Sequence, residues 1–171
     1  MKRWMIRLIV LAVLAAGGVI AWLALFPGPE KVIRQRLLEV ASLASFGSNE
    51  APLAKFANVN KLLSYFTSDA VVVVDVAGRF QHRMRGRDEL MQAAMGARNA
   101  LMGLAVEFID VTVKLSPDKK VAIVELTAKA RAVGERDDMI QELRFTLRKI
   151  GGDWLIDRVE TVKTLSLMTG I

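Results

Sequence analysis

Asp75 is one of two residues in this sequence with the side-chain chemistry and setting of a general base. It follows the apolar run Val71–Val74. Burial in an apolar pocket raises the pKa of a carboxyl, which could then abstract a proton next to a carbonyl group. The alternative is a turn aspartate that precedes Ala77-Gly78. We prefer this second interpretation because Asp is common in turns.

His82, the only histidine, is the other candidate base. It alternates along the chain with polar residues, in step with Phe80 and Met84, so it is predicted to share their strand face. Imidazole titrates near neutral pH and could act as a general base there. A hydrogen-bonded core histidine is the preferred alternative, because the sequence offers no partner that would orient the ring.

Four residues are predicted to line a pocket near these candidates: Tyr65, Phe80, Met139 and Gln141. Tyr65 is the only tyrosine, and its hydroxyl could contact a ligand, but we prefer the interpretation in which its ring packs and its hydroxyl reaches water. Met139 and Gln141 continue the alternation of Leu143 and Phe145. The inward alanines of residues 121–133 would leave space there, or would allow close helix packing.

The sequence lacks the residues that several common kinds of site require. It has 171 residues with no cysteine and one histidine. These counts exclude a disulfide framework, a thiol nucleophile, a cysteine-based zinc site and a multi-histidine metal centre. No phosphate-binding loop, dinucleotide-binding fingerprint or nucleophile elbow is present. We therefore predict neither a metal nor a cofactor.

Four arginines occur within nine residues, at Arg79, Arg83, Arg85 and Arg87. They could meet an anionic partner such as lipid headgroups, or they could form a solvated strand edge that discourages aggregation. Apart from Phe80, no aromatic residue is interleaved with them for base stacking. We therefore expect no nucleic-acid partner.

The apolar residues, 53% of the chain, are concentrated near its start. Leu8–Phe26 is a run of 19 residues without a charge, preceded by Lys2, Arg3 and Arg7. About 20 apolar residues span a bilayer core. A cleaved signal peptide would have a shorter core and a small-residue cleavage site, and a buried soluble helix is seldom so long. We predict a retained transmembrane anchor over residues 1–28 and a domain over residues 29–171.

The predicted location follows from this anchor. A short, basic N-terminus ahead of a large domain favours a single-pass protein of the cytoplasmic membrane, with its C-terminal domain outside the cytoplasm, in the periplasm of a two-membrane cell. The net charge is +6, and the anchor's basic flank holds half of it. Lys31, Arg34 and Arg36 follow the span and could contact headgroups, or could simply be the solvated face of a helix.

The remaining pattern predicts an α+β domain: a curved antiparallel sheet packed on three helices. A helix is expected from Glu30 to Ser45, a loop over Phe46–Ala57, and a short helix capped by Asn58. The predicted later elements are strands at Val71–Val74 and Phe80–Arg85, a helix over Arg87–Leu101, a strand over Leu104–Leu115 with a bulge near Phe108-Ile109, and strands over Val121–Val133, around Leu143–Leu147 and over Trp154–Leu165.

Three segments in this order resemble the nuclear transport factor two-like superfamily, also described as SnoaL-like or cystatin-like. They are Tyr65–Val73, then Gly78 with Arg85–Leu90, and finally Gly152–Arg158. The resemblance implies a cone-shaped half-barrel around helices, with a pocket at the open end and frequent dimerisation through the sheet. The superfamily includes isomerases, dehydratases and hydrolases as well as non-catalytic binding subunits, so the fold does not assign an activity.

Three functional hypotheses result. The leading one is a membrane-anchored, extracytoplasmic binding or assembly module without catalysis, acting as a homodimer or with a protein partner. The alternative is an isomerase-, dehydratase- or hydrolase-type enzyme that uses Asp75 or His82 as general base in an apolar pocket. A carrier of a small hydrophobic ligand is the third.

Overall fold

The computed structural model describes residues 28–76 and 80–162. The helices are α1 (Pro29–Ala44), α2 (Pro52–Leu63) and α3 (Gly86–Ala100), and the strands are β1 (Phe66–Val76), β2 (Phe80–Arg85), β3 (Leu104–Leu115), β4 (Val121–Ala132), β5 (Met139–Ile150) and β6 (Asp153–Thr161). Internal contacts divide the chain between Val32 and Ile33, and the second unit contains the whole sheet together with α2 and α3.

The six strands form one sheet in the order β2-β1-β6-β5-β4-β3. Every neighbouring pair is antiparallel except β1 and β6, which are parallel. The predicted α+β class, with a curved sheet and three helices, is confirmed. The sheet was predicted to be antiparallel, and this pair departs from the prediction: β6, the last strand of the antiparallel series β3–β6, lies beside β1 and runs in the same direction. The hydrophobic pattern within each strand does not specify the direction of its neighbour.

The register gives the sheet two different faces. One face, here called the covered face, carries a row of directly opposed residues that includes Val72, Val159, Phe145 and Val124. These side chains are buried or half-buried, and Val124 is completely inaccessible. The opposite face, here called the open face, carries their sequence neighbours, among them Glu125, Arg144 and Glu160, which are partly exposed.

Helix α1 forms as the apolar spacing predicts. Ile33, Leu37, Val40 and Ala41 recur at helical intervals and are all buried. Pro29 occupies the first position, where its missing N–H costs nothing, and Glu30 lies in the first turn near the positive end of the helix dipole.

The start of α2 differs from the prediction. The segment before Asn58 is not a loop, because the helix already begins at Pro52, which is preceded by the extended residue Ala51. A proline disrupts the interior of a helix but is favourable in its first turn, so Pro52 was compatible with either a loop or the start of a helix. Asn58 is not a cap: its side-chain amide donates to Glu50 at 2.7 Å. Tyr65 lies after the helix, in the turn that leads to β1.

Two strands also differ in extent from the predicted ones. β1 begins at Phe66, five residues before the valine run. The described part of β6 ends at Thr161, and residues 163–171 lie outside the described residues. In β3 the predicted change of phase is present, since the register shifts between Ile109 and Thr112, with Asp110 at a φ of 54°.

Within residues 28–76 and 80–162, no helix has both the length and the apolar character that a membrane crossing requires. The predicted span Leu8–Phe26 lies outside these residues.

Gly103 lies where two segments pass closely, and we expect Gly103→Ala to destabilise the protein by about 1–3 kcal/mol through overpacking. A Cβ at this position would lie 2.7 Å from Val133 Cγ2 and 3.1 Å from the Phe46 carbonyl oxygen. Chemical unfolding of the full chain in mild detergent measures the change. The matched control is Gly96→Ala in α3, where nothing lies within 4 Å. It should stabilise slightly, and equal effects at both glycines would contradict the prediction.

Candidate functional site

The register separates the two candidate bases. In the β1–β2 hairpin, Val74 is directly opposite His82, whereas Asp75 is opposite Gln81. Directly opposed residues share a face and successive residues alternate. Because Val72 and Val74 are both on the covered face, His82 belongs there, and Asp75 belongs to the open face. The two side chains therefore do not face one pocket.

His82 and Asp75 have different surroundings. His82 is exposed although it is on the covered face, so it lies beyond the part of that face that the helices bury. Asp75 is half-buried, and its backbone N–H donates to Thr161 Oγ1 at 3.1 Å. That bond joins β1 to β6 just after the last ladder pair, Val73 with Glu160.

Two of the predicted pocket residues lie together, and Tyr65 lies elsewhere. Met139 and Gln141 are opposite Ala130 and Ala128 on the covered face, as predicted from their alternation. Met139 is 62% exposed and Gln141 is half-buried, so this end of the face is accessible. Phe80 pairs with Val76 in the ladder, but its side chain lies outside what the structure describes.

Tyr65 is held against α1. Its hydroxyl donates to Glu39, and the Arg36 guanidinium lies 5.8 Å from its ring centroid. The hydrogen bond to Glu39 raises the pKa of Tyr65, and burial and the charge of Glu39 raise it further. This hydroxyl is thus engaged in a contact between α1 and the turn before β1.

The three basic residues predicted at a membrane surface have different environments. Lys31 is exposed. Arg34 donates through Nη1 to the Val111 carbonyl at 2.6 Å. Arg36 donates to the Trp154 carbonyl at 3.1 Å and pairs with Asp153. Arg34 and Arg36 therefore fasten α1 to strands β3 and β6, a function that the sequence pattern did not indicate.

An apolar cleft of about 170 Å³ opens between α1 and β3, lined by Arg34, Leu37, Leu38, Phe108 and Val111. Leu38 is 64% exposed at its rim. The ring of Phe108 packs edge-on against Phe145 at 5.6 Å. This cleft is the most apolar of those described, and no local sequence pattern predicts it, because its two walls are at least 70 residues apart in the chain.

The open face is crossed by a chain of ion pairs on strands β3 to β6. Lys114 contacts Glu125 at 3.1 Å, Glu125 contacts Arg144 at 2.9 Å, Arg144 approaches Glu160 at 3.9 Å, and Glu160 contacts Arg158 at 3.0 Å. Each exposed pair contributes little by itself. Together these contacts place charges of opposite sign next to one another across four neighbouring strands.

Asp138, at the rim of a polar cleft on the open face, is expected to titrate with a pKa of about 2. Hydrogen bonds from Arg131 and Lys129 lower this pKa from 3.8. The stabilisation from these contacts is present above pH 3.8 and is lost as the pH falls toward 2. Carboxyl NMR shifts would report the titration, and Arg131→Ala should move its midpoint upward. A midpoint near the ordinary value in the unaltered protein would contradict this.

Comparison with known proteins supports the fold. No family model matches the sequence, and no curated protein matches it. The structure is similar to a nuclear transport factor two-like protein of unknown function from Pseudomonas putida KT2440, with a TM-score of 0.63, 12% identity, and coverage of 84% of this chain and 92% of the other. A cystatin-like protein of unknown function from Nostoc punctiforme gives a TM-score of 0.60 at 14% identity, covering 84% and 98%.

A third similar structure is a nuclear transport factor two-like protein with a cystatin-like fold from Novosphingobium aromaticivorans, with a TM-score of 0.53 and 22% identity over 75% of this chain and 84% of the other. Identities this low support the fold alone. The resemblance noted from the sequence is thereby confirmed for the fold, and the function has to be inferred from the site.

Proposed function

We propose that this protein is a non-catalytic binding or assembly module, anchored in the cytoplasmic membrane by its N-terminal segment, with its domain outside the cytoplasm. The observation that carries the proposal is the separation of the candidate bases. His82 is on the covered face and Asp75 is on the open face of the same hairpin. A general base needs the reacting atom and an orienting partner within hydrogen-bond reach, and this pair does not supply both in one pocket.

Two further observations support binding. The charges of the open face on β3 to β6 pair with one another, so this surface can meet a partner without leaving isolated charges. Large apolar side chains remain exposed on the same face, including Ile123, Val133 and Ile140. Apolar side chains within a polar frame are typical of protein interfaces. The membrane part of the proposal is supported by the uncharged run Leu8–Phe26.

Fractionation and cross-linking in native membranes would test this function. The full-length protein should stay in the membrane pellet after alkaline extraction, and a C-terminal tag should become accessible to protease when only the outer compartment is opened. Cross-linking before mild detergent extraction should capture a second copy or a protein partner. A protein found in the soluble fraction, or one that remains monomeric and unaccompanied, would overturn the proposal.

The accessible end of the covered face favours the enzymatic alternative to a lesser degree. His82 on β2 and Gln141 on β5 both lie on this face. The imidazole could move a proton on a small apolar substrate bound there. The apolar cleft of about 170 Å³ beside α1 supports the third hypothesis, a carrier of a small hydrophobic ligand, less strongly than the observations above support a binding module. Native mass spectrometry of the protein purified from its own cells distinguishes a carrier, which would retain a small apolar ligand.

A further inference from the structure

The two edges of the sheet are protected to different degrees. The strand order leaves β2 and β3 at the edges, where backbone groups lack a neighbouring strand. On β3 those groups have partners: Phe46 and Leu104 exchange two backbone hydrogen bonds at 2.8 and 2.9 Å. The Val106 N–H donates to Ser45 Oγ at 2.9 Å, and Arg34 donates to the Val111 carbonyl.

On β2 the hydrogen bonds of the described residues supply the outer edge with one contact. The Arg85 N–H donates to Glu89 Oε2 at 2.8 Å. This amide therefore points away from β1. Backbone groups alternate in direction along an antiparallel strand, so the N–H and C=O of Arg83 also point outward. The Arg83 backbone is thus positioned to pair with an additional strand.

The side chains of the same two arginines add a positive charge. Arg83 is opposite Val73 and Arg85 is opposite Val71, so both are on the open face, and both are exposed. In the described part of the chain, neither guanidinium has an acidic partner within 4.0 Å. By contrast, Arg148 pairs with Asp157 at 2.5 Å on that face.

We propose that β2 accepts an extended, acidic segment of a partner protein by strand addition, which deepens and rests on the binding function proposed above. The main chain of the segment pairs with Arg83 through both N–H and C=O groups. Carboxylates two residues apart on the segment repeat about every 7 Å, the spacing of Arg83 and Arg85 along β2. An anionic lipid surface is less suitable, because lipid headgroups have no extended main chain that could pair with the outward N–H and C=O groups of Arg83.

Peptide binding to the full-length protein in detergent tests the chemistry. The probe is a fluorescein-labelled peptide in which glutamate alternates with valine, followed by anisotropy at low salt. It should bind about tenfold more tightly than its glutamine counterpart, since a charge-assisted hydrogen bond is worth roughly 1.5 kcal/mol. N-methylation of the peptide amides that face β2 should abolish binding, whereas N-methylation of the alternate amides should not. Equal binding of the glutamate and glutamine peptides, or no effect of N-methylation, overturns the proposal.

Substitutions locate the site. The double variant Arg83→Ala/Arg85→Ala should weaken binding of the glutamate peptide by about tenfold or more. The matched control removes the same charge elsewhere, with Lys61→Ala/Arg136→Ala, two exposed residues outside the edge. It should leave the affinity unchanged, and equal weakening by both variants would assign the effect to net charge and overturn the site.

Two other results separate this proposal from its alternatives. If the peptide does not bind, and phosphatidylglycerol in nanodiscs protects Arg83 from phenylglyoxal where phosphatidylcholine does not, the arginines contact lipid and strand addition is wrong. If cross-linking in membranes still captures a partner with the Arg83→Ala/Arg85→Ala variant, the proposed binding function is supported and the proposed site on β2 is wrong. If the partner is lost only with this variant, both proposals are supported.

Discussion

Replacement of Arg98 by methionine is expected to lower the free energy of unfolding by about 3–5 kcal/mol, because it leaves a buried carboxylate without its partner. Arg98 is 3% exposed in the last turn of α3. Its Nη1 donates to Glu50 Oε1 at 2.6 Å and its Nη2 to the Leu43 carbonyl, and the guanidinium lies 4.8 Å from the Phe46 ring centroid. One side chain thereby connects α3 to the end of α1 and to the loop that follows it.

The loss of stability in Arg98→Met is expected to come from Glu50, whose buried carboxylate would lose its charged partner. Its side chain is 10% exposed, and the Asn58 amide also donates to it. Burial raises the pKa of Glu50, but the hydrogen bonds from Asn58 and Arg98 and the charges of Arg98 and Lys55 outweigh it, so the net pKa lies below 4.5. The stabilisation is therefore present above pH 4.5 and is lost as the pH falls through the lowered pKa.

Urea unfolding of the full chain in mild detergent would measure the effect, and a double variant would explain it. Arg98→Met/Glu50→Leu should recover most of the lost stability, because a well-packed apolar pair can replace a buried ion pair at little cost. Arg131→Ala, which removes an arginine from the exposed pair with Asp138, should hardly change the unfolding midpoint. A double variant as unstable as Arg98→Met would contradict the role given to the Glu50 charge.

The second large effect is expected at Leu37, where Leu37→Ala should cost about 2–5 kcal/mol through the cavity it leaves. Leu37 is 1% exposed in α1. The neighbouring residue supplies a matched control: Leu38 is 64% exposed, so Leu38→Ala should change stability by no more than about 0.5 kcal/mol. The same unfolding measurement compares the two variants.

The Leu37 comparison also tests whether α1 is part of the domain core. If α1 packed on the sheet only loosely, both leucine substitutions would have similar small effects. A large difference between them would show that the burial of Ile33, Leu37 and Val40 holds the helix in place. Since Arg34 and Arg36 fasten the same helix to β3 and β6, the packing of α1 also fixes the apolar cleft beside it.

Local sequence patterns were sufficient to predict those helices and strands that bury one face with regularly spaced apolar residues. The helical spacing of Ile33, Leu37 and Val40 predicted α1, and the change of phase near Phe108-Ile109 predicted the bulge in β3. The predicted start of α2 was wrong because Pro52 is compatible with both a loop and a first helical turn. Arg98 was missed as a core residue, although its spacing of four from Ala94 and eight from Leu90 placed it on the apolar stripe of α3.

The sequence by itself determined the α+β class, the order of elements, and the candidate residues Asp75 and His82, because these depend on periodicity and residue type within short segments. Only the tertiary structure decided which of these residues lie together. The face on which a side chain lies depends on strand register, and a shift of one residue exchanges the faces. The separation of Asp75 from His82, the contact of Arg98 with Glu50, and the place of β2 at the edge of the described sheet all depend on how distant segments pair, which no local pattern specifies.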